Sequence, residues 1–124
     1  MKDFRNLRVW NRSHRLTLLV YKATREFPRE ELYGLTSQMR RCSASMAANI
    51  AEGCGKRSNA EFQRFLHIAV SSASELDYHL LLARDLELLR HSAYETMARE
   101  LSELRRMLTS LVQKVEAERL RTKC

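Results

Sequence analysis

Apolar side chains recur every three or four residues through most of the chain, which is the spacing of amphipathic α-helices. Four such stretches predict helices over residues 6–27, 35–52, 59–89 and 93–118. Because the connections between them are short, consecutive helices are expected to run antiparallel. The pattern therefore predicts an all-α fold, an antiparallel up-down four-helix bundle, with residues 1–124 as a single domain.

Residues with special backbone preferences mark the predicted helix ends. Pro28 stops the first helix, since proline disfavours helical geometry in the residue before it. Gly53 stands where a left-handed residue would terminate the second helix. Ser58 with Glu61, and Ser92 with Glu95, have the spacing of capping boxes, in which the serine caps the helix and the glutamate bonds back to it. The charged tail from Glu116 is expected to fray.

The first and third helices each carry two apolar rows. In the first helix we expect one row to face the core, and it consists of Trp10, His14, Thr17, Tyr21 and Thr24. A chain of this size rarely needs a second row, so the remaining one could meet another subunit. The third helix is also apolar on two sides, so its second row could meet another subunit as well. The predicted oligomer interface is therefore Val9, Leu16, Val20, Phe27, Phe65 and Ile68.

The second helix is rich in small residues between Met39 and Ser58. Its apolar row contains Leu35, Met39, Cys42, Met46 and Asn49. Small side chains allow helices to approach closely. Asn49 lies in this row and is expected to be buried, where its amide must find hydrogen-bond partners.

The net charge of +7 lies entirely in the first half of the chain. Residues 1–60 contain 12 Lys and Arg against 5 Asp and Glu, whereas residues 61–124 contain 10 of each. Such a surface attracts polyanions, although a solvated basic surface is an equally simple explanation. No aromatic residues are interleaved with the arginines, so contact with the phosphate backbone is expected, with RNA favoured over DNA. The candidate nucleic-acid-binding residues are Arg5, Arg8, Arg12, Arg15, Arg40, Arg41, Lys56 and Arg57.

No set of residues has the spacing of a catalytic or metal site. Glu75 and His79 are four residues apart on one helix, without the second copy that a di-metal bundle needs. Cys54 lies near Lys56, but no His–carboxylate pair is placed by sequence to activate it. The sequence therefore predicts no enzyme activity, no cofactor and no metal. Three cysteines without a CxxC pair indicate reduced thiols. Reduced thiols, together with the lack of an apolar run long enough to span a membrane, favour a cytoplasmic protein.

Several short motifs, taken together, resemble one protein family. They are Asp3-Phe-Arg5 with Val9-Trp10, Phe27-Pro28, Tyr33-Gly-Leu-Thr-Ser-Gln38 with Arg40-Arg41, Asn49-Ile-Ala-Glu-Gly53, and Phe62 with Phe65-Leu66. They are similar to the bacterial four-helix-bundle proteins encoded in intervening sequences of large-subunit (23S) ribosomal RNA genes. The match covers about residues 3–89, and the fourth helix resembles the family in pattern alone.

The resemblance implies a four-helix bundle that assembles as a ring-like homopentamer and has no known catalysis. The family is similar to the accessory variability protein of diversity-generating retroelements, a basic pentamer that binds nucleic acid and a reverse transcriptase. Two functions stay open at this point. One is a basic, non-enzymatic oligomer that binds RNA or RNA–protein complexes, and the other is a self-assembling scaffold with an acidic protein partner.

Overall fold

Four α-helices form almost all of the computed structural model, which describes residues 3–122. They are α1 (Arg8–Thr24), α2 (Ser37–Cys54), α3 (Asn59–Asp85) and α4 (His91–Thr122). A short 3-10 turn, Phe4–Asn6, precedes α1. A second 3-10 turn, Arg29–Glu31, and a wide helical turn that breaks at Gly34, Leu32–Thr36, join α1 to α2. The predicted all-α four-helix bundle is confirmed.

Side-chain contacts show that neighbouring helices run antiparallel. Thr17 on α1 donates its hydroxyl hydrogen bond to the Ser43 carbonyl on α2 at 3.0 Å, while Thr24 accepts one from Arg40 at 2.9 Å. Moving forward along α1 therefore means moving backward along α2. The side-chain pairs that join α2 to α3, α3 to α4, and α1 to α4 also show that the two helices run in opposite directions. The helices thus form a closed ring of four, α1–α2–α3–α4, around one core.

The inward face of α1 differs from the prediction. Val9, Leu16 and Val20 are the residues that enter the core, whereas His14 is exposed and Tyr21 keeps 39% of its surface. The predicted row instead follows the seam between α1 and α2, where long polar and aromatic side chains can keep one end in water. The prediction was right for Thr17 and Thr24, which are buried, and wrong for His14 and Tyr21, because periodicity alone cannot rank two adjacent rows.

This result also corrects the predicted oligomer interface. Val9, Leu16, Val20, Phe27 and Phe65 are all at most 8% exposed within the single chain. Their side chains are therefore inside the subunit core and offer no surface to another subunit. Ile68, at 38% exposure, is the one member of the predicted set that reaches the surface.

The later helices each bury a regular apolar row. In α3 this row has spacings of four and three and consists of Phe62, Leu66, Ala69, Ala73, Leu76, Leu80 and Ala83. In α4, Met97, Leu101, Leu104, Leu108 and Val115 are buried as well. The tail continues as helix to Thr122, so its predicted fraying at Glu116 was wrong. Among residues 3–122, no helix is both long and apolar enough to cross a membrane.

The predicted helix ends are partly right. Ser58 caps α3 by accepting a hydrogen bond from the Glu61 amide at 3.1 Å, but the Glu61 carboxylate pairs with Arg64. The second capping box does not form, because α4 already begins at His91. Gly53 lies inside α2, and none of the glycines has a positive φ. A left-handed end does occur after α3, at Glu87 with a φ of 60°.

Candidate nucleic-acid interface

The first two helices are strongly basic. Their cations are Arg8, Arg12, Arg15, Lys22, Arg40 and Arg41, and their one carboxylate is Glu52. The charges belong to two neighbouring helices, but Arg12 and Arg15 lie on the α4 side of α1, whereas Arg40 and Arg41 lie near the turn that precedes α2. The partners of each cation decide how much of its charge is open to a ligand.

Two of the predicted arginines on α1 form ion pairs with α4. Arg12 lies 3.6 Å from Glu100 and 3.3 Å from Glu103, and Arg15 lies 3.2 Å from Glu100. The Arg12 side chain is only 18% exposed. Its hydrogen bond to Glu103 lowers the pKa of that carboxyl group and raises the pKa of Arg12 itself. Arg12 and Arg15 therefore join α1 to α4, and their charge is largely compensated within the molecule.

Arg5 and Arg8 lie at the beginning of α1. Arg5 belongs to the 3-10 turn before the helix, where it pairs with Asp3 at 3.4 Å and stands over the Phe4 ring. Arg8 is exposed, and no carboxylate of residues 3–122 lies within 4.0 Å of it. Among the four predicted arginines at residues 5–15, Arg8 is thus the one without an ion pair within 4.0 Å, although its charge helps to lower the pKa of Glu103.

Arg40 and Arg41 line a shallow pocket with aromatic residues. Arg40 stands 4.8 Å over the Tyr21 ring and donates from Nε to Thr24. Arg41 is exposed, and Tyr33, which is 92% exposed, completes the rim. The pocket has a volume of about 450 Å³. The prediction that no aromatic residues accompany these arginines was wrong, because the wide turn before α2 brings Tyr33 beside them.

Lys56 and Arg57 form a second basic cluster at the far end of α2. The Lys56 Nζ lies 5.2 Å from the centre of the Phe65 ring, and Arg64 packs on that ring at 4.5 Å. Arg57 is exposed. Fifteen residues of helix separate Arg41 from Lys56, a span of about 22 Å at 1.5 Å per residue. The two basic pairs that flank α2 are therefore separate contact points.

Residues 53–56 read Gly-Cys-Gly-Lys, which weakly resembles part of a phosphate-binding loop, but they form the end of α2 and the turn after it. Gly53 is part of α2, and the amides of Gly55 and Lys56 donate to the carbonyls of Glu52 and Gly53. These amides end the helix and are not directed at a ligand. Residues 53–56 therefore provide no phosphate cradle.

Sequence spacing did not reveal a cluster of three chemically reactive side chains between α2 and α3. The Cys42 Sγ lies 3.7 Å from His79 Nδ1, and His79 Nε2 lies 4.0 Å from the Glu75 carboxylate. Burial, reinforced by the negative charge of Glu75, raises the pKa of the Cys42 thiol to about 12. Cys42 is therefore a neutral thiol at physiological pH and lacks the reactivity of a thiolate nucleophile.

Comparisons with known proteins agree with this architecture. The family model described as 23S rRNA-intervening sequence protein matches residues 5–110. A crystal structure of a protein of unknown function from the S23 ribosomal protein family of Bacteroides thetaiotaomicron is 26% identical in sequence, with a TM-score of 0.76. The alignment covers 84% of this chain and 97% of that one. A comparison with curated proteins found no match.

Proposed function

The chain belongs to the 23S rRNA-intervening sequence protein family, and from this premise we propose that it is a non-enzymatic, oligomeric protein that binds the phosphate backbone of RNA. The observation that supports the proposal is the basic charge of α1 and α2 that remains after Arg12 and Arg15 pair with α4, namely Arg8, Lys22, Arg40 and Arg41 against Glu52. Backbone contacts of this kind give affinity with little sequence preference.

Two basic clusters support a contact that extends along α2. Arg41 belongs to the pocket cluster and Arg57 to the cluster at the far end, while Arg8 lies at the same end as Arg57 because α1 and α2 are antiparallel. A span of about 22 Å corresponds to roughly six phosphates along one strand of a duplex, at about 3.4 Å per phosphate. Tyr33 adds an exposed ring on which an unpaired base could stack.

The test is a filter-binding titration with structured RNA and with duplex DNA over a series of salt concentrations. A triple variant, Arg8→Gln, Arg41→Gln and Arg57→Gln, removes three exposed cations from the region of α1 and α2. We expect its affinity to fall by at least about tenfold and the dependence on salt to weaken, since fewer counterions are released on binding.

A matched variant, Arg99→Gln, Lys114→Gln and Arg121→Gln, removes the same charge from exposed positions on α4. It should bind RNA nearly as well as the wild type. If both triple variants lose affinity equally, net charge and not the region of α1 and α2 is responsible. Wild-type protein that binds no RNA at low salt would overturn the proposal.

Self-association is the second part of the proposal, with five subunits as the family resemblance implies. Exposed apolar side chains lie on α1 and in the turn before α2, at Leu18, Leu32 and Tyr33, and they favour contact with another protein surface. The same residues support the alternative function, a self-assembling scaffold with an acidic protein partner. A partner that remains bound after nuclease treatment would favour the scaffold over the RNA-binding function.

A further inference from the structure

The cluster of Cys42, Glu75 and His79 contains the donor atoms of a transition-metal site. One ligand atom from each of the three residues lies within 4.8 Å of the other two. In a tetrahedral zinc site the bonds to sulfur, nitrogen and oxygen measure about 2.3, 2.0 and 2.1 Å, so neighbouring donors are separated by roughly 3.3–3.7 Å. The present separation of 3.7 Å between Cys42 Sγ and His79 Nδ1 already meets this requirement.

The third donor can reach the same point by a change of rotamer. Glu75 is on α3, one turn before His79, and its side chain is 49% exposed. The carboxylate now faces His79 Nε2, whereas Cys42 faces Nδ1, so Glu75 must change rotamer toward the Nδ1 side of the ring to share an ion with Cys42, and side chains this exposed change rotamer readily. The backbones are held in place because Met39 and Met46 of α2 and Leu76 and Leu80 of α3 are fully buried around the cluster.

The surroundings combine a buried donor with access from solvent. Cys42 is buried, the His79 side chain is 14% exposed, and the Glu75 side chain opens to water. An ion could therefore enter past Glu75 and retain a water molecule as its fourth ligand. Along the same seam, Ser72 donates a hydrogen bond to Ser45 at 2.9 Å, so this part of the α2–α3 contact is polar.

We propose that Cys42, Glu75 and His79 bind a divalent transition-metal ion, with zinc as the best match. Thiolate, imidazole and carboxylate together favour zinc or cobalt, whereas magnesium and calcium prefer oxygen donors alone. On binding, the Cys42 thiol loses its proton to solvent and becomes a ligand. A thiolate and a carboxylate then supply two negative charges, which a dication neutralises. This site is independent of the proposed RNA binding, since none of its ligands belongs to the two basic clusters.

The experiment uses the intact protein, freed of metal with a chelator and then titrated with Co²⁺. Tetrahedral cobalt bound to a thiolate gives a charge-transfer band in the near ultraviolet and intense visible bands. We expect both to saturate at about one ion per chain, and Zn²⁺ to remove them by displacement, since zinc binds such sites more tightly. Zn²⁺ should also raise the melting temperature of the wild type.

Variants assign the ligands. Cys42→Ser should lose the charge-transfer band, and His79→Gln and Glu75→Gln should each weaken cobalt binding by at least about tenfold. Cys54→Ser, which alters another buried thiol of α2, should retain the full spectrum. If Cys42→Ser does not fold, as judged by circular dichroism, the exposed Glu75 variant still provides the test. A wild-type protein that gives no cobalt spectrum, or a spectrum that survives Cys42→Ser, would overturn the proposal and leave a thiol–imidazole packing contact.

Discussion

Glu87 ends α3 with a backbone geometry that suits glycine better than any residue with a Cβ atom. Its φ is 60°, and its amide donates to the Arg84 carbonyl while the Leu88 amide donates to Ala83. These two bonds form a Schellman motif, in which the left-handed position is usually glycine. We expect Glu87→Gly to stabilise the protein by about 1 kcal/mol, which is about 4 °C in melting temperature.

Glu87→Ala is the control for this change, because it removes the same charge but keeps the Cβ atom. Its melting temperature should remain close to that of the wild type. If the alanine and glycine variants are stabilised equally, loss of the negative charge at the helix C-terminus, and not relief of the left-handed conformation, explains the gain.

Gly53 is required for close packing between α2 and α3. A Cβ atom built at this position would lie 2.8 Å from Phe62 Cδ1 and 3.1 Å from the Phe65 Cβ. We expect Gly53→Ala to destabilise the fold by about 1–2 kcal/mol in denaturant unfolding, since the strain outweighs alanine's higher helix propensity. Gly55→Ala is the matched control, because its nearest contact would be an ordinary 3.5 Å and no loss is expected.

Gly53 also shows what could be predicted at single residues. The sequence marked it as a special glycine at the end of a helix, and it does occupy the last turn of α2. Its actual role depends on Phe62 and Phe65, which reach it only after α3 folds back. A sequence pattern indicates that a glycine is needed, but the reason for the need can lie in another helix.

The contact between α1 and α4 depends on an ion pair that should respond to acid. The hydrogen bond from Arg12 lowers the pKa of Glu103 in the folded protein. Its stabilising effect is therefore complete above the pKa of an unfolded glutamate, about 4.3, and is lost as the pH falls through the folded-state value. We expect Glu103→Gln to melt below the wild type at pH 7, with the difference becoming smaller as the pH falls below about 4.3.

Glu30→Gln is a suitable control for the acid series. It removes an exposed carboxylate that lies more than 4.0 Å from every cation of residues 3–122. Its melting curve should follow the wild type throughout. A Glu103→Gln deficit that stays constant from pH 7 to pH 3 would mean that packing, and not the ionised carboxylate, causes the loss.

Whole helices were easier to predict than the faces they bury. In α3 the regular row is buried throughout, whereas the second row is divided, with Phe65 buried and Ile68 38% exposed. In α1 two rows compete, and the choice depends on where α2 and α4 lie. Val9, Leu16 and Val20 enter the core, and on the flank of α1 the Arg12 side chain pairs with Glu100 and Glu103 of α4. Arg12 and Glu103 are 91 positions apart in the sequence, so their contact could not be predicted from the spacing within α1.

At the scale of the molecule, the four-helix bundle was predictable, whereas the groups assembled between helices were not. Charge and hydrophobic periodicity are properties of the sequence itself, so they can be determined without knowing which helices lie side by side. The Cys42–His79 contact joins residues 37 positions apart, and Tyr33 reaches Arg40 and Arg41 through the irregular turn at Gly34. The spacing of residues within one helix cannot predict contacts between residues of different segments.

The pocket lined by Tyr33, Arg40 and Arg41 provides the test that separates the two proposed functions. If it binds RNA, Tyr33→Ser should weaken binding of single-stranded or looped RNA by about 1–3 kcal/mol, the usual value of one stacked base, and leave the sedimentation coefficient unchanged. If it contacts a second subunit, the same variant should sediment as a smaller species. Tyr78→Ser, which changes a tyrosine that is 59% exposed on α3, should do neither. Loss of assembly with RNA affinity retained would assign the pocket to the subunit contact and favour the scaffold, because the most exposed aromatic side chain of the pocket would then be covered by protein.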